Sequence, residues 1–164
     1  MPLATDAARR DGTGGAADGR RVAAERLLAA TVALDGYHVV AIAVGHAPAL
    51  AYTVGLWATA AHPELAVAGL EPTVAAQLLH LLAGRVVAGG RYAPGERLTG
   101  LLAHHALAFR DIEAGAAATR LRVAARFHAP GGFAALQVLW PDPASRCPAE
   151  AGCAAPQPPR AQTP

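Results

Sequence analysis

The chain has 164 residues and contains no lysine and no asparagine; all 14 basic residues are arginine. That bias reads as the drift of a GC-rich coding sequence more than as a physical demand. It has a single serine, Ser145, and no Gly-x-Ser-x-Gly, which removes a serine nucleophile. Only two cysteines occur, Cys147 and Cys153, both in a Pro-rich tail and without a Cys-x-x-Cys spacing. They read as reduced, structurally idle thiols. No His-Glu-x-x-His or His-x-His appears among the seven scattered histidines, so no metal site is expected. "DGTGGAADG" is Gly-rich but follows no strand, so it is a linker and not a phosphate loop; no cofactor is expected.

Charge is scarce as well, at 16% of residues with a net charge of +2. The arginines are scattered, and no basic run alternates with aromatics, so nucleic acid is not an expected partner. Arg122 and Arg126 share a helix face at i, i+4 and read as a solvated surface. Asp, Glu, Lys and Arg are absent from Gly36 to Pro63. A membrane span needs about 20 apolar residues. This run is broken by "GHAP", carries His38, His46 and His62, and has a period closer to two. It reads as strands, and no membrane association is expected. The first residues lack the apolar core of a signal peptide, so a cytoplasmic location is expected.

Residues 1–20 read as a disordered lead, residues 21–142 as one α+β domain and residues 143–164 as a flexible Pro-rich tail. A helix is expected over about Arg21 to Leu34, anchored by Val22, Leu27, Leu28 and Leu34. "YHVVAIAVG", "ALAYTVGL" and "ELAVAGL" read as three strands. In the second, Leu50, Tyr52, Val54 and Leu56 alternate with Ala49, Ala51, Thr53 and Gly55. One face is bulky and the other nearly bare, open to close approach by a helix, a strand or a ligand. A helix opens at Pro72, with Val74, Leu78, Leu81, Leu82 and Val86 at helical spacing. Two short strands follow, "YAPGERLTGLL" and "HALAFRDIE". A helix over "GAAATRLRVAARFH" carries Leu121, Ala124, Ala125 and His128 on one face, and "FAALQVLW" is a last strand. The order predicts a mainly antiparallel mixed sheet of about five to six strands with about three helices.

Gly36-Tyr37-His38-Val39, Tyr52-Thr53-Val54-Gly55-Leu56, His62-Pro63-Glu64-Leu65, Gly69-Leu70 and Leu136-Gln137-Val138-Leu139-Trp140-Pro141-Asp142 occur in this order. With these elements the chain resembles the bacterial domain of unknown function 4262 family. The resemblance implies a small bacterial protein and brings no established activity. After Trp140-Pro141-Asp142 the family tends to an aromatic-Pro-Trp-type segment, where this chain has Arg146-Cys147-Pro148-Ala149-Glu150. Ala68 stands where a larger residue is usual.

The residues that carry chemistry are few. His62 and Glu64 are candidates for an acid–base pair, or the polar fittings of a turn. Tyr52 reads as core, its hydroxyl needing a partner. Thr53, on the bare face, reads as a ligand contact or a cross-strand partner. Gln137 in an apolar strand needs hydrogen bonds. Trp140 and Asp142 close the last strand, where functional side chains often sit. Small-molecule binding by Thr53, His62, Glu64, Gln137, Trp140 and Asp142 at strand ends is the expected function. A protein-interaction or homo-oligomerising module is the alternative. An enzyme using His62 and Glu64 ranks last, because no nucleophile, metal set or cofactor fingerprint supports it.

Overall fold

The alternation in Leu50–Val54 sets the layering. Tyr52 and Val54 are buried on one side of the sheet and Ala51 on the other. The computed structural model describes residues 12–43, 48–102 and 105–140. The elements are α1 (Gly12–Asp35), β1 (His38–Ile42), β2 (Leu50–Val54), α2 (Leu56–Ala60), β3 (Glu64–Ala68) and α3 (Pro72–Val87). Then come β4 (Arg97–Leu102), β5 (His105–Ile112), α4 (Ala114–Arg120), α5 (Arg122–Phe127) and β6 (Ala135–Leu139). The expectations for Asp142, for Cys147 and Cys153, for residues 1–11 and for the tail lie outside the described residues.

The strands form one open sheet in the order β1-β2-β3-β6-β5-β4. Every pairing is antiparallel except β3 with β6, which run parallel in the register Glu64↔Ala135 to Ala66↔Gln137. The sheet is therefore mixed and mainly antiparallel, as the element order implies. Among the described residues no helix is long and apolar enough to cross a membrane.

Small residues on one face of β2 make room for α3. Ala51, Leu65, Val67, Leu136 and Val138 meet a buried stripe of Ala75, Leu78, Leu79, Leu82, Ala83 and Val86. That stripe follows the i, i+3, i+4 rule of an amphipathic helix. Val74 and Leu81 were expected in it but are exposed, because they fall on its solvent flank. Pro72 opens α3, and the Glu71 side chain caps it by accepting from the Thr73 and Val74 amides.

The opposite face packs Tyr52, Val54, Ala66 and Ala135 against Ala117, Leu121 and Ala124. The single helix expected here is two, α4 and α5, parted at Leu121, which adopts φ −96°, ψ 56°. No proline or glycine causes the break. Tertiary contacts override propensity: Leu121 is driven into the core, and the Val123 amide donates to the Tyr52 hydroxyl at 3.3 Å.

α1 begins earlier than the expected start at Arg21, and little of it touches the sheet. Val32 is buried and Leu28 half-buried, whereas Val22, Leu27 and Leu34 face solvent. Val32 lies against Gly55, the residue between β2 and α2. The short helix α2 was not expected from the pattern. It starts at a backbone reversal that Gly55 makes with φ +117°. A Cβ at Gly55 would stand 2.6 Å from a Val32 methyl and 3.2 Å from the Gly36 carbonyl oxygen. Both the dihedral and the space demand glycine there.

Gly55→Ala is therefore expected to destabilise the fold by about 3 kcal/mol, from strain plus overpacking. Gly95→Ala, also at positive φ but with nothing near its added carbon, should cost only about 1 kcal/mol. Urea unfolding of both variants checks the pair, and equal losses would refute the close-packing account.

Candidate functional site

The β2–β3 ladder stops at Tyr52↔Ala66, and side chains take over from the backbone beyond it. The Leu65 amide donates to Thr53 Oγ1 at 2.8 Å, and that hydroxyl donates to Glu64 Oε2 at 2.6 Å. Glu64 Oε1 accepts from the Gly55 amide at 2.7 Å, the Trp57 amide at 3.2 Å and His128 Nε2 at 2.8 Å. Glu64 and Thr53 are each 0% exposed. A carboxylate removed from water is tolerated only with such a set of donors. His128 comes from the C-terminal cap of α5, its ring edge-on to Phe127 and tilted against Phe133. Its side chain is 4% exposed. This cluster is sealed. Its chemistry is to hold the β2–α2 turn and the end of α5 to the start of β3.

His62 turns the other way. Its Nδ1–H donates to the Pro63 carbonyl at 2.7 Å, and its Nε2 accepts from the Tyr92 amide at 3.0 Å. Its ring meets Tyr92 edge-on, and Tyr92 stacks on Phe109 at 4.5 Å. Burial pushes its pKa below the ordinary value, in keeping with a neutral imidazole. The histidine on Glu64 is thus His128, from a distant part of the chain, and both nitrogens of His62 are engaged elsewhere. Adjacency in sequence pointed to the wrong imidazole.

The remaining expected site residues spread along the sheet. Thr53 and Glu64 meet. Gln137 sits mid-strand on β6 and accepts from Arg110 Nη2 on β5. Trp140 lies at the opposite end of the sheet from Glu64, where its Nε1–H donates to the Ala68 carbonyl at 3.0 Å. Asp142 lies outside the described residues.

An open cleft lies at the same sheet end as Glu64, between α1, β1 and α3. It encloses about 350 Å³ and is lined by Thr31, Asp35, Tyr37, His38, Val39, His80, Gly84 and Val87. The Tyr37 hydroxyl lies 3.1 Å from His80 Nδ1, with the two rings tilted at 5.6 Å. Burial, then the Asp35 carboxylate, raises the Tyr37 pKa. Burial, then His80, lowers that of His38. No group of three His, Cys, Asp or Glu side chains is placed to hold a metal ion among the described residues.

The cleft and the buried carboxylate are mechanically joined. Gly55, held by Glu64, packs on Gly36 and Val32. Thr59 Oγ1 of α2 donates to the Gly36 carbonyl at 2.6 Å. Tyr37 and His38 follow directly in the chain. Tyr37 and His38 belong to one of the sequence elements shared with the family, and His80 lies far from them in the chain. Only the packing of α3 across β1 brings them together.

Glu64→Gln removes the charge its four donors serve, and is expected to cost about 3 kcal/mol of stability by urea unfolding. A loss under about 0.5 kcal/mol would sink the keystone role. Acid sensitivity follows from His62. Unfolded, it takes up a proton near the ordinary value of 6.5; folded, only at lower pH. Its contribution is therefore full above 6.5 and is lost as pH falls toward the folded value. His38 acts with the same sign. Unfolding free energies from about pH 8 to about pH 5 should fall on the acid side, and His62→Gln, though less stable at neutral pH, should show a shallower fall.

No curated protein and no solved structure matches the chain. A family model does, over residues 31–154, which spans both the cleft and the buried carboxylate. The chain belongs to the family described as Domain of unknown function (DUF4262).

Proposed function

We propose that this domain binds a small molecule in the cleft between α1, β1 and α3. The observation that carries the reading is the contrast at one sheet end. Thr53, Glu64 and His62 are buried with their polar atoms engaged. Tyr37, His38 and His80 border open space. About 350 Å³ lies in the lower range of small-ligand sites. The strand-end location expected for a site is kept, while the contacting residues shift from Thr53 and Glu64 to Tyr37, His38 and His80. Thr53 and Glu64 become the support behind the wall. A cytoplasmic bacterial setting is the context we assign to this activity.

A second reading, self-association or docking to another protein, has its own observation. Leu34 is 85% exposed, and Leu27 and Leu81 are exposed on α1 and α3. β1 and β4 are the edge strands of the sheet. Sedimentation across concentration separates the readings, since a binding domain that stays monomeric needs no such face.

A fragment screen followed by amide NMR is expected to give shift changes centred on Tyr37, His38 and His80. Tyr37→Ala and His80→Ala should each weaken the best fragment about tenfold, with the fold intact. Shifts centred elsewhere, or binding unchanged in both variants, would overturn the assignment.

A further inference from the structure

We infer that the cleft selects a small organic cation, an alkylammonium or a compact quaternary amine, with the Asp35 carboxylate as counter-ion and the Tyr37–His80 ring pair as the wall. This deepens the binding reading above and rests on it. Three observations converge.

First, among the described residues the lining carries one carboxylate, Asp35, and no arginine, in a chain whose only strongly basic side chains are arginines. An anionic ligand would meet a like charge with no guanidinium to pair. Second, Asp35 is the last residue of α1, and no basic residue stands in that last turn. The C-terminal end of a helix carries partial negative charge and ordinarily favours Lys, Arg or His. A carboxylate there goes against the local stability rule and concentrates negative potential at the mouth of the cleft. Third, the Tyr37 and His80 rings, 5.6 Å apart and tilted by 55°, offer aromatic surface beside that charge. A carboxylate next to an aromatic face is the combination that recognises ammonium groups. Val39 and Val87 supply the apolar contact an alkyl chain needs.

Gly84 provides a clean obstruction. It lies in α3 on the cleft, and a Cβ added there meets nothing within 4 Å. Leucine at this position fills the cleft while favouring the helix, since glycine in a helix interior is disfavoured.

The test uses three probes of similar shape on the full chain: butylammonium, 1-pentanol and pentanoate. Amide NMR titrations follow Tyr37, His38 and Gly84, and thermal unfolding confirms the fold of each variant. Butylammonium is expected to bind about tenfold more tightly than either other probe. Asp35→Asn should bring it level with pentanol, and Gly84→Leu should remove all three while unfolding at the same temperature as the parent or higher. If pentanol or pentanoate binds in the cleft as well as butylammonium does, the cation class is wrong and the cleft stands. If none of the three moves these amides, the cleft and the class fall together.

Discussion

Everything at one end of this molecule hangs on the Glu64 carboxylate. It sits where the β2–β3 ladder has run out, and it replaces missing backbone pairing with bonds from a threonine, two amides and a histidine. A neutral side chain could not gather all four donors. A carboxylate without them could not be buried. The demand is mutual, and it fixes three segments remote in sequence: the β2–α2 turn, the start of β3 and the end of α5. Gly55 then passes that order on to the α1–β1 junction by packing closely against Val32 and Gly36.

The pairing of a sealed polar cluster with an open cleft divides the work. Rigid support comes from groups that never meet solvent, and the side chains they hold in place line the cleft. Tyr37 and His38 enter β1 directly after Gly36, whose carbonyl is held by Thr59. His80 arrives independently on α3, whose buried stripe fixes its rotation over the sheet. A ligand in the cleft would therefore feel the state of the core through backbone contacts, with no need for Glu64 to touch it.

Much of the sheet was legible because period-two alternation is strong in β2 and β3 and turn residues bound each strand. The α3 stripe was legible from its helical i, i+3, i+4 spacing, apart from Val74 and Leu81, which share its apolar character but not its buried side. The break at Leu121 was not legible, since no residue there disfavours a helix and only packing on Tyr52 creates it. Nor was α2, which depends on the turn that Glu64 secures. At the site, local reading found Glu64 and Thr53 but joined Glu64 to the nearest histidine. His128 supplies the bond instead, after α3, β4, β5, α4 and α5 have intervened, and no spacing rule spans that distance. His80 gave no signal in the sequence, because its partner Tyr37 sits on another element.

The parallel contact between β3 and β6 has a bearing on how the chain assembles. The last strand in sequence is not the last in space; it takes a central place, between β3 and β5. Until it enters, no strand pairing joins the three N-terminal strands to the β4–β5 hairpin. The chain must then close its longest strand-to-strand separation late, a step dominated by loop entropy. On the ribosome, completion of the sheet waits for residue 139 to emerge, so the edges of β3 and β5 that β6 covers stay unpaired until then.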